Sequence, residues 1–184
     1  MNISGLQTQR YEQDKISNTD HVAIPRWVVE SIYNIIDIKS FHQIWFPFNN
    51  YDSQFKLKAD QLNLKYWATH LFDDCGHDFY VTYPPENTDL MISNPPFSEQ
   101  NDIIRRSFWL IEAGYIKSFA LLLPLATLET EKRANMYEYY QDKLSIIIFK
   151  KRIKFLGHKQ LFDKGCCWIC YNIPALENKK ISWI

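Results

Sequence analysis

The chain has 184 residues, 21 Lys+Arg and 21 Asp+Glu. That is about one domain of ordinary size, and its zero net charge gives no overall basic or acidic character, so any surface for a polyanion must be local. Hydrophobic residues make up 46% without an apolar run of membrane-spanning length, which excludes a disordered chain and a spanning helix. Aromatic residues reach 16% and glycines number only five, at positions 5, 76, 114, 157 and 165. The core should therefore be filled by rings, and few loops can depend on glycine.

Met1 to Asp20 is polar, aperiodic and without a signal-peptide stretch, so it reads as a flexible arm before a single domain over 21–184 of a soluble, cytoplasmic protein. Pro25 suits a first helical position, and Trp27, Val28, Ile32, Ile35 and Ile36 continue the helical spacing through Ile38. Gln43 to Phe48, with Ile44-Trp45-Phe46 at its centre and Pro47 breaking it, reads as a buried strand. Tyr51 to Leu62 follows as a helix and Leu64 to Leu71 as a strand. Leu90-Met91-Ile92 is the next strand, after which Ser98 is placed to cap a helix over Glu99–Ala113 ending at Gly114.

Phe119 to Leu123 is apolar enough to be buried on both faces. Thr127 to Asp142 reads as a polar helix or partly ordered loop, and Leu144–Phe149, Ile153–Leu156 and Cys167–Ile173 as strands, while Glu177 to Ile184 carries no pattern. Strand and helix alternate over residues 25–125 before strands follow one another, which predicts an α/β fold whose mostly parallel sheet has an antiparallel edge. Ligands of such sheets bind beyond the carboxyl ends of the strands at the topological switch point, where Pro47-Phe48-Asn49-Asn50 and Asn94-Pro95-Pro96-Phe97 both fall.

Cys166, Cys167 and Cys170 include a C-x-x-C pair. In a strand those side chains diverge, and a zinc site would need Cys75 or a histidine to fold back onto them, so the reading is a buried reduced strand without metal. His70 and His77 read as satisfied polar residues rather than ligands or bases.

The sharpest feature is Ser93-Asn94-Pro95-Pro96-Phe97 between a strand and a helix. Two prolines fix the backbone and remove two N–H donors, leaving carbonyl oxygens, one Asn amide and an aromatic wall. The Asn94 oxygen and the Pro95 carbonyl can each accept an N–H of an exocyclic amine while Phe97 stacks on its ring, which suits direct attack on an electrophilic methyl. No general base is required, and no Ser-His-Asp, zinc-helix or phosphate-loop spacing occurs.

This loop resembles the Asn-Pro-Pro-Tyr/Phe motif of S-adenosylmethionine-dependent amino methyltransferases, notably the DNA N6-adenine enzymes. Ala23-Ile24-Pro25-Arg26-Trp27 resembles their opening Thr-Pro helix beside the methyl donor, Gly76-His77-Asp78-Phe79 the turn near the donor's adenine, and Phe119 to Pro124 the strand after the catalytic helix. The resemblance covers about residues 22–173 and is similar to small enzymes of phages and prophages. It implies a Rossmann-like class I methyltransferase fold with helices on both faces, S-adenosylmethionine as cofactor, and methyl transfer to adenine N6 in DNA, with Asn94, Pro95, Pro96 and Phe97 as the catalytic loop. Pro25, Asp78 and Phe79 are implied donor contacts.

The departure lies after the first strand, where the family's Asp/Asn-Pro-Phe-x-Gly-x-Gly becomes Phe46-Pro47-Phe48-Asn49-Asn50-Tyr51-Asp52-Ser53, with Pro-Phe kept and both glycines absent. Pro47, Phe48 and Asn49 would then shape the donor loop, with Asn49 and Asn50 tolerating positive φ, and Asp52 or Ser53 would bind the donor's amino-acid end. Asp73, or Asp74 beside it, is the candidate for the ribose hydroxyls, with a simple turn as the other reading.

Arg105-Arg106 and Lys150-Lys151-Arg152-x-Lys154 are the local basic clusters. Arg105, Lys151 and Arg152 are candidate phosphate contacts and Trp109, Tyr137 or Tyr139 candidate stacking platforms, against a solvated charged face as the alternative. RNA adenine is nearly as compatible as DNA, and a protein glutamine amide less so, because the enzymes acting on it carry a glycine-rich donor loop and an added helical domain. A non-catalytic methyltransferase-like module that binds nucleic acid or a host protein is the reading from another class, and an active enzyme of this size would draw on a protein partner for target recognition.

Overall fold

The computed structural model describes residues 23–49, 53–71, 76–157 and 159–184. The expected arm, Asn50, Asp52, Asp73, Asp74 and Cys75 lie outside the described residues.

In chain order the elements are α1 (Arg26–Ile35), β1 (Ile44–Phe46), α2 (Gln54–Gln61), β2 (Tyr66–Ala68), β3 (Thr88–Ser93), α3 (Gln100–Glu112), β4 (Ile116–Pro124), α4 (Glu131–Tyr139), β5 (Leu144–Ile148), β6 (Cys166–Tyr171) and β7 (Ile181–Trp183). They build one seven-stranded sheet of order β2-β1-β3-β4-β6-β5-β7. The first four strands pair in parallel, β6 is antiparallel to both β4 and β5, and β7 is parallel to β5. The antiparallel strand thus lies two places inside the rim. β4 is central and buried at every position except Lys117, which matches its near-continuous apolar run.

Helices cover both faces. Val28 and Ile32 of α1 and Phe55 of α2 pack with Phe46, Ile92, Leu122 and Trp168 on one face. Phe108 of α3 and Tyr137 of α4 pack with Trp45, Met91, Phe119, Leu121 and Ile169 on the other. β6 divides its cysteines between them: Cys166 and Cys170 enter the first core and Cys167 the second. All three are free and buried, and burial pushes the Cys166 and Cys167 thiols up to about 12. Side chains three apart on a strand face opposite ways, so this C-x-x-C pair does not converge.

Several boundaries differ from the sequence reading. Pro25 is the N-cap of α1 rather than its first residue, and α1 ends at Ile35 because Asp37 turns left-handed at φ 50° ahead of a short 3-10 turn over Ile38–Ser40. Ser98 does not cap α3: Phe97–Glu99 forms a 3-10 turn and Glu99 is the N-cap, without a side-chain cap bond. The end of α3 follows expectation, with Gly114 at φ 77°, Tyr115 N–H on the Leu110 carbonyl at 2.9 Å and Gly114 N–H on Ile111 at 3.1 Å.

Ile153–Leu156 is not a strand. Ile153 and Phe155 are buried and their neighbours exposed, but the backbone bonds there go to loops: Leu156 N–H to Ala23 and Phe162 N–H to the Ile153 carbonyl. Conversely Ile181–Trp183, which shows no burial alternation toward a core, is a strand because β5 offers it a ladder. No helix of the described residues is long and apolar enough to cross a membrane.

Asp89 ties the lower edge of the sheet. Its carboxylate takes Lys117 Nζ at 2.7 Å and the amides of His42 and Gln43 at 2.9 and 3.3 Å. Burial alone would raise its pKa, but the ammonium and the two amides outweigh it and hold the group below the ordinary 3.8. A depressed carboxylate contributes stability above its unfolded pKa and loses it as pH falls through the folded value. Denaturant melts from pH 6 to pH 2 will therefore show a shallower acid loss for Asp89→Asn than for the native chain, and equal slopes would contradict this assignment.

Candidate active site

β2 lies on one side of β1, while β3 and β4 lie on the other, so the strand order reverses between β1 and β3. The crevice beyond their carboxyl ends is the switch point. Two loops meet there through a buried bond: Ser93 Oγ, at the end of β3, donates to the Pro47 carbonyl at 2.5 Å. Asn49 Nδ2 donates to the same carbonyl at 2.7 Å, and Asn49 N–H to Thr69 at 2.9 Å. Ser53 Oγ donates to Asn49 Oδ1 and accepts from Phe55 N–H, capping α2. Asn49, expected to help the loop turn, and Ser53, expected to bind the donor's amino-acid end, are thus hydrogen-bonded to each other within it.

Among the described residues of this loop the left-handed one is Phe48, at φ 61°, and not Asn49. A left-handed non-glycine residue costs about 1–2 kcal/mol. The Phe48 ring packs on Phe79 at 4.7 Å between centroids, and Phe79 lies on Trp45 at 5.7 Å and 28°. These ring contacts offset the backbone strain that glycine would avoid.

On the β3 side Asn94 is half-buried, Pro95 buried and Phe97 half-buried. The Phe97 ring is braced by Phe162 at 5.5 Å and by Phe155 at 6.0 Å, both from the β5–β6 connection. The turn at 76–80 follows β2, with residues 72–75 between, and Asp78 Oδ1 accepts the Tyr80 N–H at 2.9 Å. Asp78 is half-buried, whereas Phe79 is only 4% exposed, so Phe48 is the more accessible ring of that pair. Tyr80 Oη donates to Glu99 at 2.6 Å and ties this turn to the start of α3.

Pro25 stands at the same edge, because Ala23 accepts Leu156 N–H from the β5–β6 connection. Lys151 and Arg152 lie in that connection, with Lys151 Nζ 4.7 Å above the Trp27 ring. Arg105, on the exposed side of α3, is paired with Asp102. Trp109 sits about 14 Å further along the helix than its first residue, by helical rise. It clusters with Tyr83 and Tyr115 under the Arg106 guanidinium, 4.4 Å from the indole. An open groove lined by Tyr80, Asp102, Arg105, Arg106 and Trp109 runs between these places.

The edge therefore gathers Pro25, Pro47, Phe48, Asn94, Pro95, Pro96, Phe97, Lys151 and Arg152, while Trp109 lies toward the other end of α3. Tyr137 cannot serve as a stacking platform: it is buried, with its hydroxyl 3.2 Å from Thr127 Oγ1, whereas Tyr139 is 78% exposed. Sequence reasoning passed over Ser93, Thr69, Phe155 and Phe162. Only Ser93 had a local signal, its place directly before Asn94 at the end of an apolar strand.

No protein-family model matches the sequence, and no curated protein sequence does. Among solved structures the chain is similar to the modification subunit assigned to a type I restriction enzyme of Vibrio vulnificus YJ016, at TM-score 0.53 and 13% identity over 92% of this chain and 48% of that one. It thus spans about half the length of that subunit. It also aligns with a Listeria monocytogenes protein assigned as a class I S-adenosylmethionine-dependent methyltransferase, at TM-score 0.48 and 14% identity over 98% and 71% of the two chains. A dimethyladenosine transferase from Plasmodium falciparum aligns at TM-score 0.49 and 11% identity over 82% and 62%. At such identities the likeness is one of fold. With its switch point between β1 and β3 and its antiparallel β6 between β4 and β5, the chain has a Rossmann-like α/β fold with a mostly parallel sheet, which it shares with the type I modification subunit.

Proposed function

We propose that this chain transfers a methyl group from S-adenosylmethionine to the N6 amine of adenine in DNA. The observation that carries the reading is the Ser93–Pro47 hydrogen bond, which joins the Asn-Pro-Pro-Phe loop to the β1 loop at the switch point. A donor crevice and an amine-binding loop then share one rigid seam.

The residues present fit the adenosine half of the donor. Phe48 offers a half-buried ring backed by Phe79, and the half-buried Asp78 carboxylate is an acceptor for an adenine amine or ribose hydroxyl. Pro47, Asn49 and Ser53 hold the β1 loop in shape, and Pro25 closes the same edge. The amino-acid half falls to Asp52 beside Ser53, and the ribose to Asp73 as the second candidate. When bound, the donor supplies an electrophilic methyl on a sulfonium.

Asn94 and the Pro95 carbonyl accept the two N–H groups of the amine and draw its lone pair out of the ring. Phe97, braced by Phe155 and Phe162, stacks on the base. The amine loses its proton to water after transfer, so no side chain need act as base. N6 is paired and stacked in a duplex, so the target base is extruded or single-stranded. Arg105, Lys151 and Arg152 are the proposed phosphate contacts, with Trp109 a stacking residue further along α3.

Calorimetric titration of the purified chain with S-adenosylmethionine is expected to give one saturable site. Methyl transfer is then measured on matched single-stranded DNA and RNA with and without adenine. Label on adenine of DNA supports the reading, and label on RNA alone moves the substrate to RNA. A folded chain that does not bind the donor overturns it in favour of a non-catalytic binding module.

A further inference from the structure

The β5–β6 connection, residues 149–165, holds six cations, Lys150, Lys151, Arg152, Lys154, Lys159 and Lys164, against the single acid Asp163, in a chain with no net charge. All six are exposed. Among the described residues none of them forms an ion pair. β5 runs parallel to β4, and β6 starts opposite the end of β4, where Cys166 pairs with Pro124. The connection therefore crosses the same edge of the sheet as the two loops of the candidate site.

It is also anchored there. Ile153 is fully buried and Phe155 is 3% exposed. Backbone bonds tie Leu156 to Ala23 at 2.8 Å, Phe162 to Ile153 at 3.0 Å and Leu125 to Gly165 at 2.8 Å. The rings of Phe155 and Phe162 hold Phe97, so Lys154, next to Phe155, is fixed close to the acceptor loop. Like charges crowded on an anchored segment repel one another, and a surface meant only for solvation would mix both signs. An internal nucleotide whose base lies on Phe97 carries a phosphodiester on each side.

We propose that the β5–β6 connection grips the phosphodiester backbone on either side of the base held at Phe97. The proposal rests on the reading of Phe97 as a base platform and assigns the phosphates that flank that base to this segment, leaving Arg105 of α3 to contact the strand further along.

The test uses the full chain without donor and measures the anisotropy of labelled single-stranded DNA and RNA oligonucleotides across salt. Lys154→Ala/Lys159→Ala/Lys164→Ala changes exposed side chains only. It is expected to weaken binding at 50 mM salt by about 10- to 100-fold and to make the log–log salt slope shallower by about 2, at roughly 0.7 per phosphate contact. A control, Lys39→Ala/Lys65→Ala/Lys179→Ala, alters exposed lysines that precede β1, β2 and β7 and so lie at the opposite edge; it should leave both quantities unchanged.

An unchanged slope in the first variant, or an equal loss in the control, overturns the proposal. Binding lost to phosphatidylserine vesicles but not to oligonucleotides overturns it as well and makes the segment a lipid-facing surface. Native chain that binds oligonucleotides with the expected slope but methylates none keeps this proposal and removes the catalytic one. Native methyl transfer, with a loop variant that binds as tightly as the native chain, does the reverse.

Discussion

Asn94→Ala will lower the rate of methyl transfer by about 10²–10³-fold, the usual loss when one positioned polar group at a reacting centre is removed. The surrounding frame should survive. Ser93 remains bonded to Pro47, both prolines keep their dihedrals, and Phe97 stays between Phe155 and Phe162. Donor affinity by calorimetry and the thermal midpoint are therefore expected to stay near native values, so that the loss appears in kcat. Asn94→Asp keeps an acceptor oxygen and should retain more of the rate than Asn94→Ala. A variant that folds and methylates at the native rate would remove Asn94 from the chemistry and, with it, the main support for the proposed function.

Trp168→Ala should be the most damaging change to the fold, at about 3–5 kcal/mol by denaturant unfolding. Trp168 is fully buried on β6, paired in register with Leu122 of β4 and Ile147 of β5. It meets Phe55 of α2 edge-on at 6.2 Å. Truncation empties the core between the sheet and α2, and a rigid sheet closes such a hole poorly. Trp168→Phe separates the two contributions. It keeps a ring and removes an indole N–H that finds no acceptor among the described residues, so it should cost well under half as much as alanine. Equal losses for both variants would contradict this packing. Because β6 begins where the β5–β6 connection ends, Trp168→Ala should also loosen oligonucleotide binding, whereas Trp168→Phe should not.

The Asn-Pro-Pro-Phe loop was legible because its constraint is local. Asn94-Pro95-Pro96-Phe97 owes its shape to two proline rings and to the strand before it, whatever packs around it. The loop after β1 was not legible in the same way. A turn without glycine suggested Asn49 or Asn50; Asn50 lies outside the described residues, and among those described the left-handed residue of the loop is Phe48, which is held by Phe79, 31 positions along the chain. Likewise Ser98 looks like a cap, yet the helix begins two residues later, because a 3-10 turn carries the chain away from the rigid Pro95-Pro96 pair.

Ile153–Leu156 and Ile181–Trp183 bring out the same contrast. The first alternates buried and exposed as a strand would, and the second does not, yet only the second joins the sheet. Alternation reports which side chains meet a core, whereas strand identity depends on where backbone N–H and C=O groups find partners, and those partners lie on distant segments.

By itself the sequence determined the α/β class, the strand-and-helix alternation up to β4, the burial of the β6 cysteines and the place of the Asn-Pro-Pro-Phe loop at the end of a buried strand, since each follows from local spacing and residue type. Tertiary structure alone decided that Ser93 would join that loop to Pro47, that Phe155 and Phe162 would brace Phe97, that Tyr137 would be buried, and that the basic segment after β5 would cross the edge of the candidate site. These are contacts between residues far apart in the chain, selected by the packing of two cores against one twisted sheet, and no local pattern encodes them.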